Sequence, residues 1–329
     1  YVMISHVSLG VYQRKFEKLQ KAGLPEIQRD MVSSRYNELP KPPPGKKGWP
    51  WTLEGYSDFQ SKAETNEWPR LSIVTPSFNQ GQFIEATIRS ILLQGYPNLQ
   101  FIIMDGGSKD RTVEIIRKYE RWIDYWVSAP DGGQPRAINR GFEKCTGEVF
   151  GWLNSDDIFM PNAFFKLMSL RKNQPGCVAW SGAAEKIQPD GKSLGIYKAR
   201  PGSKKDFGNF GVDACVYQPS TLIDATTFKK IGGINEQLEI GLDVDLWMRL
   251  AAEGCFETTE EIISRILMYP EAKHLQNPAA TYAELIAINH NHGYKDLAQK
   301  WLQFYVELSV KKSLRKKENN EERGKEKKN

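Results

Sequence analysis

The spacing of apolar positions changes period several times along the chain, and each change marks an element. Residues 71–75 form an apolar run of strand length, after which Ile84, Ile88 and Ile91 recur at helical spacing. Residues 101–104 predict a second strand, and Val113 with Ile116 a second helix capped by Ser108. A third strand follows at 125–128, a helix at 134–144 and a fourth strand at 149–153. Strand and helix alternating in this way predict βαβ units and a parallel sheet covered on both faces. Beyond residue 160 the pattern loosens, with strand-like pieces at 178–187 and 215–223 and a helix near 244–252. Two helices at 279–288 and 294–308 close the pattern, joined at His292-Gly293, where imidazoles ahead of a glycine read as helix termination.

The stretch ahead of this pattern is a preamble. A helical-looking piece near 11–19 gives way to Pro40, Pro42, Pro43, Pro44 and Gly45, which continue no helix. Trp49, Trp51 and Trp68 are expected to fasten it to the body. The predicted organisation is an extension at 1–69, a regular first half at 70–160 and a less regular second half at 161–275. Helices at 276–310 and a basic tail at 311–329, read as frayed and solvated, complete it.

Charge sharpens this picture when it is divided. The net charge of +5 equals that of residues 311–329 alone, which hold nine Lys/Arg against four Glu. The rest is neutral, which argues against a nucleic-acid binder. The tail's sharper alternative to a solvated end is weak contact with anionic lipid. No apolar run approaches the roughly 20 residues of a membrane span, and no secretory signal pattern opens the chain. The chain starts at Tyr1, consistent with processing or excision from a longer protein. Cys145, Cys177, Cys215 and Cys255 form neither a zinc pattern nor a disulfide scaffold, which fits a reducing cytoplasm, and Cys145 and Cys255 read as small apolar fillers.

In an open parallel sheet, ligands bind beyond the carboxyl ends of the strands. Those ends lead into Pro76-Ser77-Phe78-Asn79, Asp105-Gly106-Gly107-Ser108, Asp131-Gly132-Gly133-Gln134 and Asn154-Ser155-Asp156-Asp157. Asp-Gly alone is ordinary turn chemistry, but three of four strands delivering carboxylates to one edge is not. Adjacent carboxylates repel, and Asp156-Asp157 reads as half a site for Mg²⁺ or Mn²⁺ whose other half is a diphosphate. Arg136 and Arg140 stand one turn apart where they could meet phosphate. No G-x-G-x-x-G follows the first strand, and neither a P-loop nor a G-x-S-x-G elbow occurs. In the second half Asp243 opens a helix over Leu246 and Trp247; it is an N-cap, a general base, or both.

The segments "SIVTPSFNQGQFIEATIRSIL", "DGGSKDRT", "PDGGQPRAINRGF", "GWLNSDD" and "GLDVDLWMRL", in that order, resemble a family 2 glycosyltransferase. The resemblance implies a GT-A fold: a Rossmann-like nucleotide-binding half on a mainly parallel sheet, plus a smaller acceptor half. It implies an inverting, metal-dependent transfer from a nucleoside-diphosphate sugar, a UDP-sugar foremost, to a carbohydrate or lipid-linked hydroxyl in glycan or polysaccharide synthesis. Pro76, Glu85 and Asp105 match positions that hold the nucleotide base; Asp131 and Arg136 match the approach to ribose and phosphate. Asp156 and Asp157 match the D-x-D region, with Asp157 as direct Mn²⁺ or Mg²⁺ ligand and Asp156 nearer the ribose or a metal-bound water. Asn154 replaces the first Asp of the commoner form. Asp243 matches the catalytic base with Asp245 as its rival, and Lys273 or His274 stands where a diphosphate-holding residue often does. Trp152, Trp180, Tyr217 and Trp247 are candidates for stacking on a sugar.

Two other classes remain open on the residues. A sugar-nucleotide nucleotidyltransferase would carry a basic, glycine-rich loop after the first strand, and residues 76–81 hold no basic side chain. A non-catalytic nucleotide-sugar binder or assembly module would bind nucleotide without turnover. The expected location is the cytoplasm, or the inner face of the membrane if the tail touches lipid.

Overall fold

The computed structural model describes residues 35–53, 68–209, 215–270 and 276–326, with side chains to residue 310. The helical-looking piece near 11–19 lies outside the described residues. Strands β1 (Leu71–Ser77), β2 (Leu99–Asp105), β3 (Tyr125–Ser128) and β4 (Val149–Trp152) all run parallel, in the order β3-β2-β1-β4. Helices α1 (Ile84–Leu92), α2 (Thr112–Tyr119) and α3 (Gln134–Glu143) make the crossovers. Ile73 and Val74 face opposite sides of the sheet and enter different cores, as period-two alternation requires. The strand order reverses between β1 and β4, so a crevice opens beyond their carboxyl ends. Pro76 is buried in β1 opposite Met104, past the β4 pairing that ends at Val74↔Trp152, where its missing N–H costs little. Helix α3 packs hard on β1: a Cβ at Gly141 would stand 2.5 Å from the Val74 side chain.

The second half extends the same sheet with reversed strands. After β5 (Ile158–Phe159) and α4 (Ala163–Asn173) come β6 (Ala179–Ile187), β7 (Ser193–Tyr197), α5 (Lys204–Gly208) and β8 (Thr221–Asp224). Strand β8 is antiparallel to both β4 and β6, and β7 returns against β6 as a hairpin. Helices α6 (Ala225–Lys230) and α7 (Leu242–Leu250) precede β9 (Phe256–Leu267), which runs parallel to β6 and which the apolar pattern does not show. Helices α8 (Pro278–Asn291) and α9 (Lys295–Glu326) follow, with His292 as the C-cap of α8. Helix α9 runs on to Glu326, into the stretch that the sequence reads as a frayed tail.

Several side chains depart from expectation. Ser108 does not cap α2, whose N-cap is Arg111; its hydroxyl donates to Asp105 instead. Cys177 and Cys255 form a disulfide between the segments that lead into the paired strands β6 and β9. That bridge removes the cysteine argument for a reducing cytoplasm; Cys145 and Cys215 are buried and outside the disulfide. Trp152, Trp180 and Trp247 are at most 1% exposed and belong to the core, not to a sugar platform. Tyr217 stays half-buried.

The preamble is fastened by more than tryptophans. Trp49 donates its indole N–H to the Phe159 carbonyl at 2.7 Å, and Trp68 packs edge-on against Phe165 at 5.0 Å. The main clamp is Arg89 of α1, fully buried, which donates to the carbonyls of Pro40 (2.8 Å), Pro50 (3.0 Å) and Trp51 (3.3 Å). Hydrogen bonds to a charged group are worth about 1.5–3 kcal/mol each, and losing this donor strands several partners at once. Arg89→Met is expected to cost about 3 kcal/mol or more in urea unfolding. It should also speed tryptic cleavage after Lys46 and Lys47.

Candidate active site

The loops beyond the parallel strands are built by their own polar side chains. Asp105, 1% exposed, accepts from the Ser108 hydroxyl at 2.5 Å through one oxygen. Its other oxygen takes the Gly107 N–H (3.2 Å), the Ser108 N–H (2.9 Å) and the Ser128 hydroxyl (2.5 Å). The carboxylate expected at the nucleotide base therefore shapes the loop from behind. Asp131 accepts from Gly133 N at 2.8 Å and stands over Gly106, where a Cβ would come within 3.0 Å of its carboxylate. Arg136 is half exposed beside Gly132 and pairs with Glu236 at 3.4 Å, a link from α3 to the acceptor half. A cavity of about 300 Å³ beside β3 is lined by Asp105, Val127, Asp131 and Arg140 among others.

Glu85 is not brought to these loops. Its carboxylate accepts from the Tyr119 hydroxyl at 2.8 Å and pairs with Lys118 at 2.6 Å. It faces a groove of about 450 Å³ against the proline-rich segment, together with Pro44, Lys46 and Trp51. No contact of Glu85 with Asp105, Asp131 or Asp156 appears among the described residues.

The paired aspartates differ in burial. Asp157 is 5% exposed; it accepts from Leu267 N at 3.2 Å, and its own carbonyl accepts from Thr87. Burial, and then the charge of Asp156, raise its pKa well above the usual carboxylate range. Asp156 is the half-open member, held by the Tyr269 hydroxyl at 2.8 Å. Burial and the Asp156 charge keep that phenol protonated, so it remains a donor. Asn154 accepts from Gln134 Nε2 at 2.8 Å and donates to Gln218 Oε1 at 3.3 Å. Gln218 in turn donates to the Trp152 carbonyl at 2.6 Å. A carboxylate at 154 could accept but not donate, so this amide chain explains the asparagine.

The second half supplies Asp243 at the start of α7. Trp247, one turn on and on the same helix face, stacks on Trp152 at the end of β4 with centroids 6.0 Å apart. Through this contact α7, whose first turn holds Asp243, packs on the end of β4. The turn before it is held by Glu284 of α8, which accepts from the N–H groups of Glu239, Ile240 and Gly241 at 2.8–2.9 Å. Burial raises the Asp243 pKa to about 6, against the hydrogen bond from Val244 N and with a further upward push from Glu284. Asp245, the rival base, is committed elsewhere. It accepts from Arg249 Nε at 2.8 Å and bonds the His292 ring at 3.0 Å. Burial would raise its pKa, but His292 and Arg249 outweigh that and hold it below the usual value. Lys273 and His274 lie outside the described residues.

Residues 72–230 match the model of glycosyl transferase family 2. Over that segment the chain is similar to family 2 glycosyltransferases. An uncharacterized glycosyltransferase of Rickettsia typhi is 31% identical over 189 residues, which are 55% of this chain and 58% of the relative. The putative teichuronic acid biosynthesis glycosyltransferase TuaG of Bacillus subtilis is 30% identical over 143 residues, 42% of this chain and 56% of TuaG. The chain thus spans little more than half the length of these relatives. The structure of S. aureus TarS 1–349 in complex with UDP-GlcNAc superposes with a TM-score of 0.53 at 14% identity. It covers 72% of this chain and 71% of TarS 1–349, and shows the same GT-A fold. Asp243 lies beyond the matched segment, so its place in the candidate site rests on geometry.

Sequence reasoning missed Tyr269, Gln218 and Glu284 at this candidate site. Nothing in the residues around Tyr269 or Glu284 marks them, because each acts across more than 40 positions. The Asp243 pKa carries a stability consequence. A folded-state pKa raised to about 6 favours the folded protein while Asp243 is protonated, and this is lost as pH rises from about 4 through 6. Asp243→Asn is therefore expected to stabilise by about 1–3 kcal/mol at pH 7.5, a gain that shrinks on acidification toward pH 4. Melting temperatures of both proteins across that range check it.

Proposed function

We propose that the chain is an inverting glycosyltransferase that uses a nucleoside-diphosphate sugar, UDP-linked in the first instance, and a hydroxyl acceptor. What supports this is the presence of two carboxylates of different character on elements that the Trp152–Trp247 stack packs together. Asp156 is half open at the strand edge, and Asp243, in the first turn of α7, is poised near neutrality. The family match, and the UDP-GlcNAc bound by TarS, support the donor class.

Acceptor and donor are then served by different halves. Above pH 6 Asp243 is ionised and takes the proton of an acceptor hydroxyl. The hydroxyl oxygen bonds to the anomeric carbon as the bond from that carbon to the diphosphate breaks, which inverts the centre. Asp131 and the glycine-lined loops at 106–107 and 132–133 let the nucleotide approach the backbone closely. Arg136 offers a cation to the phosphates once it leaves Glu236.

A divalent cation fits the donor set. Carboxylate oxygens are hard ligands, and Asp156, with Asp157 behind it, would supply one or two of them. Among the described residues no cluster of three His, Cys, Asp or Glu gathers to hold a metal, so diphosphate and water oxygens would complete the shell. Bound there, the cation would neutralise charge on the departing diphosphate. This places Asp156, not Asp157, as the direct ligand, with Tyr269 fixing its orientation.

Thermal shift with UDP, GDP and dTDP, each with Mn²⁺ or Mg²⁺ and then EDTA, tests the site. A metal-dependent rise with UDP is expected, lost in Asp156→Asn. Asp243→Asn should keep that rise and lose at least about 1,000-fold in turnover, beyond the 100- to 10,000-fold range of general bases only if it also misplaces the acceptor. No shift with any nucleotide would overturn the reading, and a shift without turnover on any acceptor would make the chain a binding module.

A further inference from the structure

One cation at the edge of the site has no carboxylate to answer it. Lys186 pairs with Gly195 in the β6–β7 hairpin, and Tyr197 pairs with Ala184, so Lys186 and Tyr197 are diagonal neighbours on one face. The Lys186 ammonium stands 4.2 Å from the Tyr197 ring centroid and 5.6 Å from that of Tyr217. The two rings are 5.6 Å apart and inclined at 60°, an open corner with the charge in it. Among the described residues no carboxylate pairs with Lys186. The acids nearby are taken, Glu185 by Arg265 at 2.7 Å and Glu260 by Lys198 at 2.9 Å. Burial alone lowers the Lys186 pKa, with no acid pushing it back. A half-buried ammonium answered only by ring faces is incompletely compensated.

The corner adjoins the reaction edge. Tyr217 is followed by Gln218, which is bonded to Trp152 and Asn154. On the other side Met268 N donates to the carbonyl of Ile187, next to Lys186, while Leu267 N donates to Asp157. The hairpin belongs to the half that carries Asp243, not to the β1–β4 crevice.

We infer that Lys186, Tyr197 and Tyr217 form an acceptor subsite for an anionic sugar, one bearing a carboxylate or a phosphate. This rests on the glycosyl-transfer reading above. The rings stack on the C–H face of a pyranose and the ammonium pairs with its negative group, an interaction a neutral sugar forgoes.

Saturation-transfer NMR titrations with UDP and Mg²⁺ present test it with three probes: methyl β-D-glucuronoside, methyl β-D-glucoside 6-phosphate and neutral methyl β-D-glucoside. The protein should bind at least one charged probe five-fold or more tighter than the neutral one, and which one it prefers identifies the anion. Lys186→Met should bind all three alike, and Lys186→Arg should keep the preference. Equal binding of the three by the unmodified protein, or a preference that survives Lys186→Met, overturns the proposal. The UDP thermal shift is run on the same samples and should be unchanged in Lys186→Met. Its absence from the unmodified protein would sink the transfer reading, while the charge preference would still decide on this subsite.

Discussion

The parallel register of β1 with β2 and β4 is the constraint on which everything else hangs. Leu71 lies opposite both Leu99 and Val149, so Ser77 ends level with Asp105, and Val74 with Trp152. Three strand ends therefore open onto one edge, and their loops meet there, where Asn79 N donates to the Ser108 hydroxyl and Gln134 Nε2 to Asn154. Close packing preserves the register. Gly141 lets α3 rest on Val74, and a Cβ at Gly151 would stand 2.5 Å from Leu222. A side chain at either position would lift a layer from the sheet and move the edge with it.

Asp243, the proposed base, is placed by a different route. Helix α7 is short, and α8 grips it twice. Glu284 closes the turn before its first residue, and His292, the cap that ends α8, bonds Asp245 one turn in. Asp243 sits between these two holds. The same helix that orients the carboxylate also tunes it, because the charge of Glu284 adds to burial in raising its pKa. The C-terminal helices are thus part of the site's machinery, although none of their residues carries the chemistry.

Much of this was legible in the sequence, and the rest divides along a physical line. Period-two and period-3.6 patterns showed the four parallel strands and their helices to within a few residues, because burial on both faces leaves a strong apolar signal. Strand β9 gave no such signal, since Glu257, Glu260 and Glu261 fill its exposed positions. At the site, the sequence placed carboxylates at the correct edge but could not say whose lone pairs were already spent. Asp105, Asp157 and Asp245 are buried acceptors for their own protein, while Asp131, Asp156 and Asp243 are only partly buried. Residue type is local, whereas satisfaction depends on Ser128, Leu267 and His292, which arrive from elsewhere. Arg89 and the Cys177–Cys255 pair escaped for the same reason, as their partners lie about 40 and 78 positions away.

That last pair ties a knot-free noose. The strand hairpin with Lys186, the Tyr217 turn and the helix of Asp243 all lie between the two bridged cysteines, whose neck is the pairing of β6 with β9. A single cut anywhere in that stretch leaves one covalent molecule, and its two ends stay registered by the sheet. Breaking the chain and breaking the molecule are therefore different events in this half, and only a reductant makes them the same.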